Sequence, residues 1–551
     1  MTSDAQSAIF QLSDEYISES AKLSPINSTY LGIKGLDDRL DDFSLAASEK
    51  KVALIRQTLS RLDEIKPDNE IQRISGEVLR ERLISELALN ESNEAQILMA
   101  VISSPAISIR QVFEVMPHEN DADFSNFTAR FSAVDAAHQS WKSALEDLAK
   151  IGKRNSRRQV EGVAKQLLEF SKGAYSGIAK RIDPEGKHPD MHTAAASADR
   201  SAGEMGVWLQ SQYLPDSIAE DGIGAERYAV WARHFTGVKL DLRETYEWGL
   251  RDLAEINERM WTAARKIKPD AKSLREVGDY LDKEEKYLVR GTDLLLEKLL
   301  AFTAAATAMM DGAYFDIDER IKFCDARLAP EGSAAAPYYQ PPSEDLSRPG
   351  TTWFPTLGKN EFSWWRIPTY WYHEAVPGHH LQVATKIIEK DRLSRFQRTG
   401  ARISGYSEGW ALYAERLMDE LGAFDDPGYE IGHLAAQAWR AVRVVVDIGM
   451  HLGYTDPQGK VWNAESACEL LREHAMLDEE FARSEIDRYL GTAGQAISYK
   501  VGERVWMNAR EDAKKRLGSN FSLKRFHAYA LKLGPMGLDP FAAEMAKWDG
   551  N

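Results

Sequence analysis

Apolar residues recur at spacings of three and four over long stretches of this chain, with charged residues between them, and that periodicity predicts amphipathic helices almost throughout. The pattern is clear over Ala8 to Ser20, Glu49 to Ile65 and Glu77 to Leu89. It returns over Phe131 to Ile151, Gln159 to Ala174 and the long run from Arg227 to Lys268. Lys66-Pro67-Asp68, Asp183-Pro184-Glu185-Gly186 and Lys268-Pro269-Asp270 punctuate these segments, as proline and glycine do. No internal repeat shows, and the apolar stripes read as core-facing surfaces. One substantial irregular region runs from about Pro330 to Pro368, longer than most loops that neither function nor link. Within it Thr351 to Phe354 predicts a short strand, either an edge that takes substrate backbone or part of a seal between two halves.

The elements therefore predict a mainly α protein, with an N-terminal helical half over residues 1–329 and a C-terminal half over 330–551, or one continuous domain. Of the 551 residues, 43% are hydrophobic and 28% charged, which supports a sizeable core and excludes a disordered chain. A net charge of -16 without any long basic block excludes nucleic acid as a partner. No window of ~18 uninterrupted apolar residues is present, which excludes a helical membrane span. Met1-Thr2-Ser3-Asp4-Ala5-Gln6 has neither a basic n-region nor an apolar core, so no secretory signal is expected and a cytoplasmic location is the default. Cys324 and Cys468 alone make neither a disulfide framework nor a Cys-x-x-Cys knuckle.

Candidate chemistry concentrates in Trp371-Tyr372-His373-Glu374-Ala375-Val376-Pro377-Gly378-His379-His380-Leu381-Gln382, which puts three histidines and a glutamate within eight residues. A catalytic zinc site needs neutral imidazoles and carboxylates around one open position, with a base beside a ligand. In the H-E-x-x-H helix the histidines stand four apart and reach one metal. Here His379 follows His373 by six residues and His380 by seven, an axial separation of about 9 to 10.5 Å in a straight helix. That excludes a regular helix as the site. Pro377 removes a backbone donor and Gly378 tolerates unusual angles, so a bulge or break there can absorb two extra residues. On that reading His379 is the second ligand and His380 points elsewhere; a hydrogen-bonded turn is the alternative. A second His-Glu pair, His118-Glu119, has no nearby histidine partner and reads as surface.

A third ligand is available 29 residues after His379, in the helical run Gly405-Tyr406-Ser407-Glu408-Gly409-Trp410-Ala411-Leu412-Tyr413-Ala414-Glu415. Glu408 fits that role, or else is a helix-start carboxylate. Gly409 and Ala411 are small enough to let this helix approach a neighbour closely. Glu415, seven residues on and on the same face, is a candidate to orient a ligand histidine, or a solvated charge. Further on, Arg443, Asp447 and His451 recur every four residues on one face of a valine-rich helix. They read as a buried ion network in which Arg443 and Asp447 satisfy each other, or as a cleft wall where Arg443 takes a peptide carboxylate.

The H-E-A-x-P-G-H-H-L-Q signature, with Y-S-E-G-W-A-x-Y-x-E and G-Q-A-x-S-Y-K after it, resembles the bacterial family catalogued as domain of unknown function 885 over nearly the whole chain. That family stands beside the helical zinc peptidases that include thimet oligopeptidase, angiotensin-converting enzyme and thermostable carboxypeptidase. The resemblance implies a zincin-like helical architecture with a deep cleft between two helical halves and a small β element near the active site. It implies one zinc per chain on His373, His379 and Glu408, with Glu374 as general base. Gln495, Tyr499 and Lys500 lie in the third motif, and Tyr499 is the residue expected to steady the oxyanion. The expected reaction is hydrolysis of an amide in a short peptide or small amide substrate. The same zinc site acting on a non-peptide amide or ester, and a metal- or peptide-binding relative without turnover, are the alternatives.

Overall fold

The computed structural model of the chain describes residues 7–330 and 335–551, so the start Met1 to Gln6, on which the expectation about a secretory signal rests, lies outside the described residues. Helices dominate, as their periodicity predicts. Ala8–Leu23, Leu45–Glu64, Glu70–Glu91 and Arg157–Phe170 form where the apolar spacing places them. Two predicted runs are each divided. Phe131 to Ile151 spans the end of Asp121–Ser132 and the whole of Val134–Lys150. Arg227 to Lys268 is Ala225–Thr236 followed by Leu242–Ile267, because Gly237 takes φ +66 and a Cβ there would stand 2.2 Å from Gly537 Cα. Two backbones pass so closely at this point that only glycine fits.

Pro427–Leu452 is the central helix of the molecule: from Ile431 to His451 every residue is buried. A helix enclosed on all sides needs apolar residues all round, and the valines at 442 and 444 to 446 supply them. Its long partner is Leu242–Ile267, where Gly249 presses on Val444 and Val445. One hydrophobic core joins residues between Tyr228 and Tyr287 to residues between Ile431 and Val501. A second joins Ile9, Leu83 and Phe315 to Trp410, Trp506 and Phe541. A third gathers residues between Met99 and Tyr213 with Ile26 and is confined to the N-terminal part. A fourth joins Leu295 and Ala326 to Phe362 and Trp371, so three of the cores cross the expected boundary at 329/330.

Among the described residues there are five short strands: β1 Leu288–Arg290, β2 Cys324–Leu328, β3 Tyr338–Gln340, β4 Gly350–Phe354 and β5 Glu361–Ser363. β1 and β5 form an antiparallel pair, and the other three form a sheet in the order β2-β4-β3, with β2 parallel and β3 antiparallel to β4. The predicted strand at Thr351 to Phe354 is present. It is the middle strand, however, with both hydrogen-bonding edges occupied, so it cannot receive an added peptide strand. Among the described residues no helix is long and apolar enough to cross a membrane. Both cysteines are buried and free.

Candidate metal centre

The helix Ile367–Glu374 carries His373 and Glu374 in its last turn and stops there. Val376-Pro377-Gly378 link it to the helix His379–Ile388, with a cis Val376–Pro377 bond, and the chain resumes helical geometry at the second histidine. The six-residue spacing is therefore absorbed by a break between two helices. Gly378 is required at that break, for a Cβ would lie 1.9 Å from the His373 carbonyl oxygen and 2.3 Å from that of Tyr372. The link is fastened from the facing helix Ser404–Glu420, whose Trp410 Nε1 donates to the carbonyls of Pro377 and Gly378, each at 3.0 Å.

Glu408 projects from that same helix, two residues before Trp410, toward both histidines. His373 Nε2 and His379 Nε2 lie 3.2 Å and 3.5 Å from Glu408 Oε2. The two rings stand nearly perpendicular, 88° apart, with centroids at 4.8 Å, and one donor atom from each of the three residues lies within 4.8 Å of the others. Ligand atoms about 2.1 Å from a tetrahedral zinc are separated by roughly 3.4 Å. The histidine–carboxylate distances match that edge, so the donor set and its spacing fit zinc.

Behind the cluster, His373 Nδ1 donates to Glu415 Oε1 at 2.8 Å, which leaves Nε2 facing the other donors, the tautomer a metal ligand needs. Thr369 Oγ1 donates to Glu415 Oε2 at 2.8 Å, Gln437 Nε2 approaches the same oxygen at 3.4 Å, and Arg440 stands 3.9 Å from Oε1. Glu415 is fully buried. Burial alone would raise its pKa, but Arg440 and His373 outweigh it and hold the carboxyl at about 2. Burial likewise opposes a charge on His373, yet the bonds to Glu408 and Glu415 raise its pKa to about 9. Two carboxylates, Glu408 and Glu415, thus flank His373.

Glu374 is half-buried beside the histidines. Burial raises its pKa, partly offset by His379 and His373, the direction that suits a carboxylate meant to accept and return a proton. Tyr499 reaches the site from the helix Ser498–Leu517, its ring near-parallel to His373 at 6.3 Å and its hydroxyl without a hydrogen bond among the described residues. That approach depends on the glycines. A Cβ on Gly409 would come within 2.5 Å of Gly502, and one on Gly502 within 2.1 Å of the Gly405 carbonyl oxygen, so the two helices cross in backbone contact.

The remaining predicted residues are placed as follows. His380 turns away: its Nε2 lies 2.7 Å from the Ile321 carbonyl oxygen and its Nδ1 3.0 Å from Tyr339 Oη, with burial pushing its pKa down to about 4. Lys500 is one step behind the network, donating to Gln437 Oε1 at 3.1 Å and paired with Glu503 and Asp252. Gln495 accepts from Arg488 at 3.0 Å and lines a cavity beside Glu408. Arg443 and Asp447 do not satisfy each other, contrary to the spacing argument. Glu485, from the neighbouring helix Glu479–Gly491, takes Arg443 at 2.9 Å. Asp447 accepts instead from Tyr228 at 2.7 Å and from the Gly494 amide at 2.9 Å. Arg443 also stacks on Tyr499 at 4.6 Å, so it supports that ring. His451 binds the Tyr489 carbonyl at 3.1 Å and is remote from the cluster. His118 and Glu119 are exposed, as expected.

Sequence reasoning missed Thr369, Arg440 and Gln437 as partners of Glu415 and Trp410 as the fastener of the break. Trp410 stands within a quoted motif, but the others carry no local signal, because only the tertiary fold brings them to Glu415.

Among curated proteins no sequence matches the chain. Two solved structures share its fold. One is a candidate lipoprotein from Colwellia psychrerythraea, with TM-score 0.85 and 22% identity, over 98% of each chain. The other is a candidate lipoprotein of unknown function from Shewanella oneidensis, with TM-score 0.80 and 18% identity, over 98% of this chain and 100% of that one. The sequence profile of a bacterial family of unknown function, DUF885, matches residues 25–545, and the chain therefore belongs to that family.

Proposed function

We propose that the protein is a zinc-dependent hydrolase of amide bonds in short peptides, with a zincin-like arrangement of helices. The observation that carries this reading is the convergence of His373, His379 and Glu408, with one donor atom from each within 4.8 Å of the others and His373 oriented from behind by a buried carboxylate. His373, His379 and Glu408 would hold the ion. Its chemistry there would be to polarise the substrate carbonyl and acidify the attacking water. Glu374 takes a proton from that water as its oxygen bonds to the carbonyl carbon, then delivers the proton to the departing nitrogen as the C–N bond breaks. The products are a carboxylic acid and an amine, with one water consumed. Tyr499 offers its hydroxyl to the oxygen that becomes negative in between. Glu415 holds the His373 tautomer throughout.

A cavity beside Glu408 and two others that share His234 with it support a cleft. One is lined from Ser404, Glu408, Gln495 and His234, another from Tyr16, Lys51, Arg402 and His234, and a third from Ser48, Trp141 and His234. They meet at His234 and so draw walls from the N-terminal and C-terminal parts alike. Such a channel admits flexible chains better than folded proteins. The test is a peptide-library digestion by the zinc-loaded wild type and by zinc-loaded Glu374→Gln. Cleavage by the wild type and none by the variant, at equal zinc content, supports the reading; a variant as active as wild type contradicts it. A non-peptide amide or ester in the same assay separates that alternative substrate class.

A further inference from the structure

The cavity beside Glu408 has a volume of about 510 Å³. Besides Glu408 and His234, its polar lining residues are Gln382, Lys386, Arg402, Ser404, Ser407 and Gln495. Glu408 is the sole carboxylate among its described lining residues, and its Oε2 is turned to the histidines. Neither cation forms an ion pair among the described residues, and Glu344 acts on Lys386 only from a distance. Lys386 Nζ donates to the Arg398 carbonyl at 3.1 Å and forms no ion pair, and Arg402 has neither an ion pair nor a side-chain hydrogen bond among the described residues. The next cation, Arg398, meets only Glu344, at 3.9 Å. In a chain of net charge -16, with most other basic side chains near a carboxylate, two unpaired cations on a concave wall suit an anionic ligand.

Helix geometry ties this wall to the candidate metal centre. His379, Gln382 and Lys386 stand at positions i, i+3 and i+7 of His379–Ile388 and share a face. Lys386 lies about 10.5 Å along the axis from His379, and helical side chains lean back toward the N-terminus. An extended peptide advances roughly 3.3–3.6 Å per residue, so about three residues span the interval. We propose that Lys386 and Arg402 bind a carboxylate of the substrate, and that the bond cleaved lies within about three residues of that carboxylate. The distance to the bond rests on the hydrolase reading above; the carboxylate site does not. The carboxylate is either the C-terminal one or an acidic side chain near the end of the peptide.

The test measures binding, by fluorescence anisotropy of labelled pentapeptides on zinc-loaded Glu374→Gln protein. The peptides are a neutral one with a free C-terminus, its C-terminal amide, and that amide with Asp two residues from the end. At least one carboxylate-bearing peptide is expected to bind at least about tenfold more tightly than the neutral amide, as a charge-assisted contact predicts. Preference for the free acid identifies the C-terminal carboxylate, and preference for the Asp peptide identifies a side chain. Adding Arg402→Gln or Lys386→Gln is expected to bring the ratio below about twofold. Arg402 is exposed, so its variant folds even where Lys386→Gln does not. Equal affinity for all three peptides, including none measurable, would overturn the site, as would a preference that survives both substitutions. If the preference holds but no peptide is cleaved by the zinc-loaded wild type, the carboxylate site stands and the hydrolase reading fails.

Discussion

The burial of Glu415 is the most consequential feature at the scale of single residues, because a fully buried carboxylate held among His373, Thr369, His433, Gln437 and Arg440 fixes which nitrogen of His373 is offered forward. Glu415→Gln keeps the shape but weakens acceptance of the Nδ1 proton, and metal affinity is expected to fall about 10- to 100-fold, measured by competition with a zinc chelator. His380→Ala should leave zinc content unchanged while destabilising the fold by about 1–3 kcal/mol, since the Ile321 carbonyl and Tyr339 hydroxyl lose a buried partner. Chemical denaturation together with metal analysis checks both halves of that statement. Asp447 supplies a pH dependence. Burial raises its pKa to about 7 despite the Tyr228 and Gly494 bonds, well above the ordinary aspartate range near 3.9. The folded chain therefore keeps this proton where the unfolded chain has lost it. Stability from this group is full below about pH 4, declines between about 4 and 7, and is flat above, by at most roughly 4 kcal/mol. Asp447→Asn is expected to remove that decline, and a denaturation series over pH 4 to 8 reads it. The residue types of the candidate metal site were legible in sequence, since His373, Glu374, His379 and Glu408 belong to short motifs with the chemistry such a site would need. The partner of Arg443 was not, because helical spacing put Asp447 within reach and only tertiary packing brings Glu485 closer.

At the scale of elements, the break between Ile367–Glu374 and His379–Ile388 decides whether two histidines six residues apart can face one another. Gly378→Ala places a methyl group against the His373 carbonyl, and Trp410→Phe removes the donor that fastens Pro377 and Gly378. Both variants are expected to stay helical by circular dichroism while zinc affinity falls by about tenfold or more. Unchanged zinc binding in Gly378→Ala would show that the break is not what aligns the ligands. Proline and glycine announced this break in the sequence, though not its form as two separate helices. The split of the Arg227 to Lys268 run at Gly237 was not legible. Its cause is the opposing backbone of Gly537, three hundred residues further on. The strand at Thr351 to Phe354 was legible as a strand, whereas its middle position depends on β2 and β3, whose pairing no local pattern reveals.

For the whole molecule, the apolar periodicity determined a helical fold but not where its cores divide. Most of the core crosses residue 330: Tyr246 and Met260 share a core with Val444 and Ile486, and Leu79 and Leu83 share one with Trp506 and Phe541. A fragment of residues 330–551 expressed alone is accordingly expected to lack cooperative unfolding, since it would expose apolar faces that the N-terminal part covers; a sharp thermal transition in that fragment would refute a shared core. His234 lines three cavities whose walls come from both ends of the chain, one of which Glu408 also lines. The claim on which the functional account turns is that this cluster holds zinc, and the direct measurement is elemental mass spectrometry of the purified protein beside His379→Ala, His380→Ala and Glu408→Ala. The account predicts about one zinc per chain in the wild type and in His380→Ala, and its loss in the other two. Zinc absent from metal-supplemented wild type, or retained equally by all three folded variants, would contradict it.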